Sequence, residues 1–232
     1  MRIIAGEKRG MKLFSPPPPL CFAKRSSGGS RPITDRVKES LFNVLCNYGF
    51  PNGKVVADLF CGVGSLGLEA LSRGAEFVCF VEKDPKVAAV LEKNIEKAGF
   101  VKESKVIRAN AFTQPLGGAG FKHGQACPER SRGDGRVFSR AGSPCYFDLI
   151  FVDPPYAYTK EVGKDSALGG LLSSVSKQLA SDGIVVVRTE RRIELLKQYG
   201  LMEIIERRQW GTMAITILRK RQKGNMKHEI AL

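Results

Sequence analysis

Val55-Val56-Ala57-Asp58-Leu59-Phe60-Cys61-Gly62-Val63-Gly64-Ser65-Leu66-Gly67 is the stretch on which the fold turns. Val55 to Phe60 is an apolar run of strand length, and three glycines at 62, 64 and 67 then open a helical segment that ends near Ser72. An apolar run bounded by a glycine turn reads as a strand buried on both faces. A strand, a tight glycine turn and a helix in that order begin a parallel α/β sheet.

The same alternation continues downstream. Phe77 to Val81 is a second strand with Glu82 at its carboxyl end, and Pro85 suits the first turn of a helix reaching about Ala98. Lys105 to Arg108 and Asp148 to Val152 are the third and fourth strands, the latter ending at Asp153-Pro154-Pro155-Tyr156. A helix over Leu168–Leu179 leads to a fifth strand, Gly183–Arg188, and a helix is expected over Ile193–Tyr199. Only Trp210-Gly211-Thr212 separates the last two segments, Met202–Gln209 and Met213–Leu218. That gap is too short for a helical crossover, so these two strands pair antiparallel. The expected fold class is α/β, a mainly parallel seven-stranded sheet with a C-terminal antiparallel strand and helices on both faces.

Upstream, Arg2-Ile3-Ile4 and Met11-Lys12-Leu13 flank a turn and predict an N-terminal β-hairpin. Pro16 to Pro19 and Ser26 to Ser30 form a loop, and Thr34 or Asp35 caps a helix running to about Cys46 with Val37, Leu41, Val44 and Leu45 on one face. The expected organisation is a basic hairpin and loop over 1–32, one catalytic domain over 33–220 and a basic tail over 221–232. Residues 117–144, rich in Gly, Arg and Ser without a periodic apolar face, read as a surface insertion of disordered composition.

Thirty-seven Lys and Arg against 23 Asp and Glu leave a net charge of +14. Such an excess attracts phosphate backbones and points to a nucleic acid as partner. The six cysteines form no C-x-x-C pair and there are two histidines, so no zinc cluster and no metal is expected. Cys46, Cys61 and Cys79 lie in apolar runs and read as core residues. Charge follows Met1–Gly6 at once, so no signal peptide is expected; no uncharged apolar stretch approaches the length of a membrane span, and a reducing, cytoplasmic location is the expectation.

Gly62-x-Gly64-x-x-Gly67 lets the backbone approach a nucleotide closely, but cofactors of several kinds use such a loop. Asp58 discriminates among them. An acid at the strand end repels a pyrophosphate at the helix N-terminus, yet it supports the loop and suits the ammonium end of a methionine moiety. Glu82 can accept both hydroxyls of a ribose. Asn110-Ala111 follows the third strand at the carboxyl edge, where ligands of open sheets bind. Asn110 there reads either as a contact to an adenine edge or as an ordinary turn asparagine. Together these residues indicate S-adenosylmethionine, released as S-adenosylhomocysteine.

Asp153-Pro154-Pro155-Tyr156 is the candidate catalytic turn. Two prolines fix φ and remove two N–H donors, leaving carbonyl groups to accept hydrogen bonds beside the Asp153 carboxylate. Tyr156 offers a face on which a base can stack. Paired acceptors gripping the N–H groups of an exocyclic amine localise its lone pair and stabilise the charge that develops as it attacks a sulfonium methyl. Replacing Asp153 by Ala is expected to abolish transfer and leave the fold intact.

These residues resemble those of the bacterial 16S rRNA guanine-N2 methyltransferases of the RsmD type. The likeness runs through Met1–Gly6, Arg9-Gly10 and Leu13, Arg31-Pro32-x-Thr34-Asp35-Arg36-Val37-Lys38-Glu39-Ser40-Leu41-Phe42-Asn43, Asp58 to Gly74, and Phe151 to Tyr156. The insertion at 117–144 departs from the family's compact pattern. The resemblance implies a Rossmann-like class I methyltransferase fold, S-adenosylmethionine as donor and a guanine N2 in 16S rRNA as acceptor. It further implies a 30S subunit or assembly intermediate as partner, a monomeric enzyme, a basic hairpin that helps hold RNA, and Arg36 near the cofactor crevice. A DNA adenine-N6 methyltransferase could use the same turn, but the chain has no room for a separate target-recognition domain. An NAD-dependent oxidoreductase would fit the glycine loop and leave Asp153 to Tyr156 unexplained.

Overall fold

The structure is a computed structural model in which residues 1–16, 33–113 and 146–221 are described. The insertion expected at 117–144, the proline and serine loop before residue 33 and the tail after 221 lie outside them.

Among the described residues eight strands form one sheet: β1 Val55–Leu59, β2 Phe77–Glu82, β3 Ser104–Arg108, β4 Phe147–Val152, β5 Leu179–Glu190, β6 Gln198–Tyr199, β7 Met202–Trp210 and β8 Met213–Lys220. Their order is β3-β2-β1-β4-β5-β8-β7-β6. The first five run parallel, whereas β8 pairs antiparallel with β5 and β7, and β6 with β7. Among the described residues four α-helices accompany them: α1 Asp35–Asn47, α2 Ser65–Ser72, α3 Pro85–Ala98 and α4 Ala167–Val175. The order reverses at β1, whose neighbours are β2 on one side and β4 on the other. Ligands of open α/β sheets bind outside the strand ends at such a switch point.

Alternate residues of each strand feed two cores, as the period of two requires. Val56, Val78, Phe80, Phe151 and Val186 pack with α1, α2 and α3 on one face. Ala57, Cys79, Ile150, Val152 and Val187 pack with α4 on the other. Both core patterns follow from the apolar runs, since a parallel strand must bury both sides.

The expectations need four corrections. The sheet has eight strands, because the predicted helix Ile193–Tyr199 is a turn followed by the two-residue β6. Tyr199 decides this: it is fully buried, its hydroxyl donates to the Val162 carbonyl at 2.7 Å and accepts the Leu196 N–H at 3.1 Å. Arg207 also donates to the carbonyls of Arg191 and Ile193, the second of which the predicted helix would use itself. Second, α4 ends at Val175, and Leu179 already begins β5. Third, the small N-terminal hairpin forms as expected but pairs through one antiparallel bridge, Arg2 with Lys12, flanked by Ile3 N–H to Met11 O, Gly10 N–H to Ile3 O and Leu13 N–H to Met1 O. Fourth, Cys46 is exposed, since it follows the buried Val44-Leu45 pair off the core face of α1, whereas Cys61 and Cys79 are buried.

Thr34 is the N-cap of α1, its hydroxyl accepting the Val37 N–H. No helix among the described residues is long and apolar enough to cross a membrane.

Candidate active site

The glycine loop leaves β1 through Phe60, which adopts φ +60°, a left-handed conformation costing a non-glycine residue about 1 kcal/mol. Gly62 and Gly64 follow at φ +57° and +87°, and Gly64 is the N-cap of α2. Gly67 is required for a different reason. A Cβ there would lie 2.2 Å from the Phe80 ring, so its lack of a side chain lets α2 sit directly on β2.

Two carboxylates hold this loop from the strand ends. Asp58 Oδ2 accepts the Gly67 N–H at 2.8 Å, tying the first turn of α2 to β1. Glu82 accepts the Gly62 N–H at 3.0 Å through one oxygen and the Asp84 N–H at 2.9 Å through the other. Each ionised carboxylate oxygen can accept more than one bond, so Glu82 retains capacity for hydroxyl donors. Burial pushes the Asp58 carboxyl up to about 8, against the stabilising Gly67 N–H, and the nearby Asp153 and Glu82 add to the rise. Three acids therefore converge at the carboxyl edge of β1, β2 and β4. Asp153 is already balanced by a cation and Asp58 is held largely protonated at neutral pH, so the site offers hydrogen-bonding oxygens at the loop, with Glu82 beside them, rather than a block of charge.

Asp153 leaves β4 with its N–H donating to the Leu59 carbonyl at 3.4 Å, which sets the Asp-Pro-Pro-Tyr turn beside the end of β1. Its Oδ1 accepts from Arg188 Nε at 2.6 Å. Arg188 comes from β5 and is 4% exposed, and its Nη1 finds no acceptor among the described residues. Removing the Asp153 carboxylate would strand a buried cation. The expectation that Asp153→Ala leaves the fold intact is therefore joined by an expected loss of stability.

The prolines behave unequally. Pro155 accepts the Tyr158 N–H at 2.9 Å in the short 3-10 turn Tyr156–Tyr158, so its carbonyl is engaged, contrary to the expectation that both stand free. The Pro154 carbonyl accepts no backbone N–H among the described residues. Pro155 thus shapes the turn, and the Pro154 carbonyl stands next to the Asp153 carboxylate. Tyr156 is half-buried at its start.

Asn110 Oδ1 accepts the Phe112 N–H at 3.1 Å, which makes it a turn-forming asparagine, while Ala111 is buried beneath it. Arg36 stands exposed in the first turn of α1. The residue of that turn which reaches the loop is Lys38, through Ser65. No group of three or more His, Cys, Asp or Glu among the described residues is placed to hold a metal ion.

Sequence reasoning missed two features. One is Arg188, although an arginine ending the apolar run Ile184–Val187 must find a partner if it is buried. The other is an aromatic row joining three loops: the Phe60 and Phe112 rings are 4.8 Å apart, and those of Phe112 and Tyr158 are 4.7 Å apart. Its members lie far apart in sequence, so no local pattern announces it.

A switch-point glycine loop after β1, an acid at the end of β2 and an Asp-Pro-Pro-Tyr turn after β4 define a class I methyltransferase. A sequence model of the family described as Conserved hypothetical protein 95 matches residues 1–120 and 119–219, and the chain belongs to this family, the RsmD-type methyltransferases. It is 32% identical over 224 residues to the Bacillus subtilis (strain 168) protein named "Putative rRNA methyltransferase YlbH", spanning 95% of this chain and 100% of that one. It is 37% identical over 159 residues to "Ribosomal RNA small subunit methyltransferase D" of Haemophilus influenzae, spanning 68% of this chain and 65% of the relative. The solved structure titled "Putative methyltransferase yhhF from Escherichia coli" matches with a TM-score of 0.68 at 25% identity, covering 96% of this chain and 99% of that one.

Proposed function

We propose that the protein transfers a methyl group from S-adenosylmethionine to the exocyclic N2 of a guanine in small-subunit ribosomal RNA. The observation that carries this reading is the position of Asp153 and Pro154 beside a glycine loop ringed by Asp58 and Glu82. The names of the relatives from Bacillus subtilis and Haemophilus influenzae support an RNA acceptor. The net charge of +14 supports a polyanionic partner.

The three acids fit S-adenosylmethionine, which when bound supplies an electrophilic methyl on a positively charged sulfur. Gly62 to Gly67 would hold its methionine portion, with Asp58 and Glu82 toward the ammonium and ribose ends. Asp153 and the Pro154 carbonyl accept the two N–H bonds of the incoming amine. That grip localises the nitrogen lone pair and offsets the positive charge it acquires. Arg188 orients the Asp153 carboxylate, so its acceptor oxygens are in place before substrate arrives. Tyr156 gives the flipped base a surface.

The remaining assignments belong to the same reading: residues 33–220 as the catalytic domain, a 30S particle or its precursor as substrate, a monomeric enzyme and a cytoplasmic location. Methyl transfer from labelled cofactor to undermodified 30S particles, naked 16S rRNA and DNA, followed by nucleoside analysis, tests it. The expected product is N2-methylguanine from ribosomal substrates alone. N6-methyladenine from DNA would overturn the assignment, and no transfer to any of the three would overturn the reaction class.

A further inference from the structure

The N-terminal segment does not rest on the domain as a loose arm. Ile4 and Ala5 donate their N–H groups to the Glu69 carboxylate at 2.7 and 3.0 Å, and Glu69 is fully buried on α2. Glu7 N–H reaches the Ser72 carbonyl at 2.7 Å, and Lys8 N–H reaches the Ser72 hydroxyl at 2.9 Å. A Cβ on Gly6 would lie 1.7 Å from the Ser72 carbonyl oxygen, so the backbone is pressed against the end of α2.

Two buried side chains extend this attachment to the glycine loop itself. Asn94 on α3 accepts the Phe14 N–H at 2.7 Å, while its amide nitrogen donates to the Phe14 carbonyl at 3.2 Å and to the Val63 carbonyl at 3.1 Å. Lys38 on α1 donates to the Arg2 carbonyl at 2.6 Å and to the Ser65 carbonyl and hydroxyl at 3.4 Å, with Glu69 3.2 Å away as counter-charge. Asn94 is fully buried and Lys38 is 1% exposed. Val63 and Ser65 flank Gly64. Each side of the glycine that turns the loop is therefore joined, through one buried side chain, to one end of the N-terminal segment.

We propose that Asn94 and Lys38 are positioning residues that couple the N-terminal segment to the glycine loop. Ligand binding at the loop then orders the segment, and a phosphate backbone held by Arg2, Lys8, Arg9 and Lys12 on that segment tightens binding at the loop. The proposal rests on the reading of the loop as a cofactor site. The physical basis is that a buried amide cannot give up one of its bonds cheaply, so displacement of Val63 or of Phe14 is felt by the other. Coupling between two sites is reciprocal by thermodynamic necessity.

Hydrogen exchange of the full chain with and without saturating S-adenosylhomocysteine tests it, with binding measured separately by calorimetry. The amides of Ile4, Ala5 and Phe14 are expected to exchange roughly fivefold or more slowly in the complex, a factor at the low end of ordinary coupling. In Asn94→Leu and Lys38→Met the loop amides should still gain protection, while the matching N-terminal amides lose most of theirs. Binding that protects the loop of the unmodified protein and leaves residues 1–14 unchanged overturns the coupling alone. Absence of binding overturns the cofactor reading and the coupling with it. The unmodified protein decides the matter even where a variant fails to fold.

Discussion

Arg188 Nε donates to Asp153 Oδ1 at 2.6 Å, and the arginine that makes this bond is only 4% exposed. The carboxylate assigned to grip the substrate amine is thus one half of a largely buried ion pair built across the ends of β4 and β5. Breaking such a pair from one side costs about 3 kcal/mol or more, because the remaining charge is left in a poor solvent for it. Asp153→Ala should lose both methyl transfer and that stability. Adding Arg188→Met should restore most of the stability and none of the activity. Urea denaturation and labelled methyl transfer separate the two effects, and activity returning with the double variant would sink the acceptor role of Asp153.

Asp58 predicts a pH dependence of known sign. Its carboxyl lies at about 8 in the folded protein against an ordinary value of 3.8. Between those values the folded state binds a proton that the unfolded state has lost, so stability contributed by this group is full below pH 3.8 and falls as pH rises toward 8. Asp58→Asn keeps an oxygen for the Gly67 N–H and removes the titration. Thermal unfolding of the ligand-free protein between pH 5 and 8 should therefore decline more steeply for the unmodified chain than for Asp58→Asn. Parallel curves would mean that the carboxyl is not raised.

Gly67→Ala tests packing at the loop without touching any charge. The new methyl would fall 2.2 Å from the Phe80 ring and 2.9 Å from Val78, both of which are fully buried. Overpacking of this kind costs about 1–3 kcal/mol and must push α2 from the sheet, which also displaces the loop. Guanidine denaturation should register the loss, and calorimetry should show weakened S-adenosylhomocysteine binding. Unchanged values for both would show that the contact relaxes freely.

Tyr199→Phe should expose the device that replaced the predicted last helix. Losing the hydroxyl strips the Val162 carbonyl and the Leu196 N–H of their partner, a loss of about 2 kcal/mol. Methyl transfer should persist at a temperature below the lowered melting point, because the hydroxyl bonds Val162 and Leu196 and none of Asp153 to Tyr156. A melting temperature equal to that of the unmodified protein would show that this anchor contributes nothing.

Local pattern sufficed wherever one segment's own residues settled its state. Val55 to Phe60 could only be a doubly buried strand, Gly62 to Gly67 only a tight approach to a helix, and Asp153-Pro154-Pro155 only a stiff turn at a strand end. Those readings, with the short gap at Trp210–Thr212, determine the parallel sheet, its antiparallel closure and the place of the crevice. The composition adds a polyanionic partner, because charge sums do not depend on folding.

Tertiary structure decided what depends on partners distant in the chain. Asp153 acquires Arg188 from 35 residues away, and Asn94 joins Phe14 to Val63 across 80 and 31 residues. Ile193–Tyr199 carried a helical pattern, yet the bonds of Tyr199 to Val162 and of Arg207 to Ile193 outweighed local propensity. A buried polar group must be satisfied by whatever the fold brings to it, and no periodicity along the chain records which group that will be.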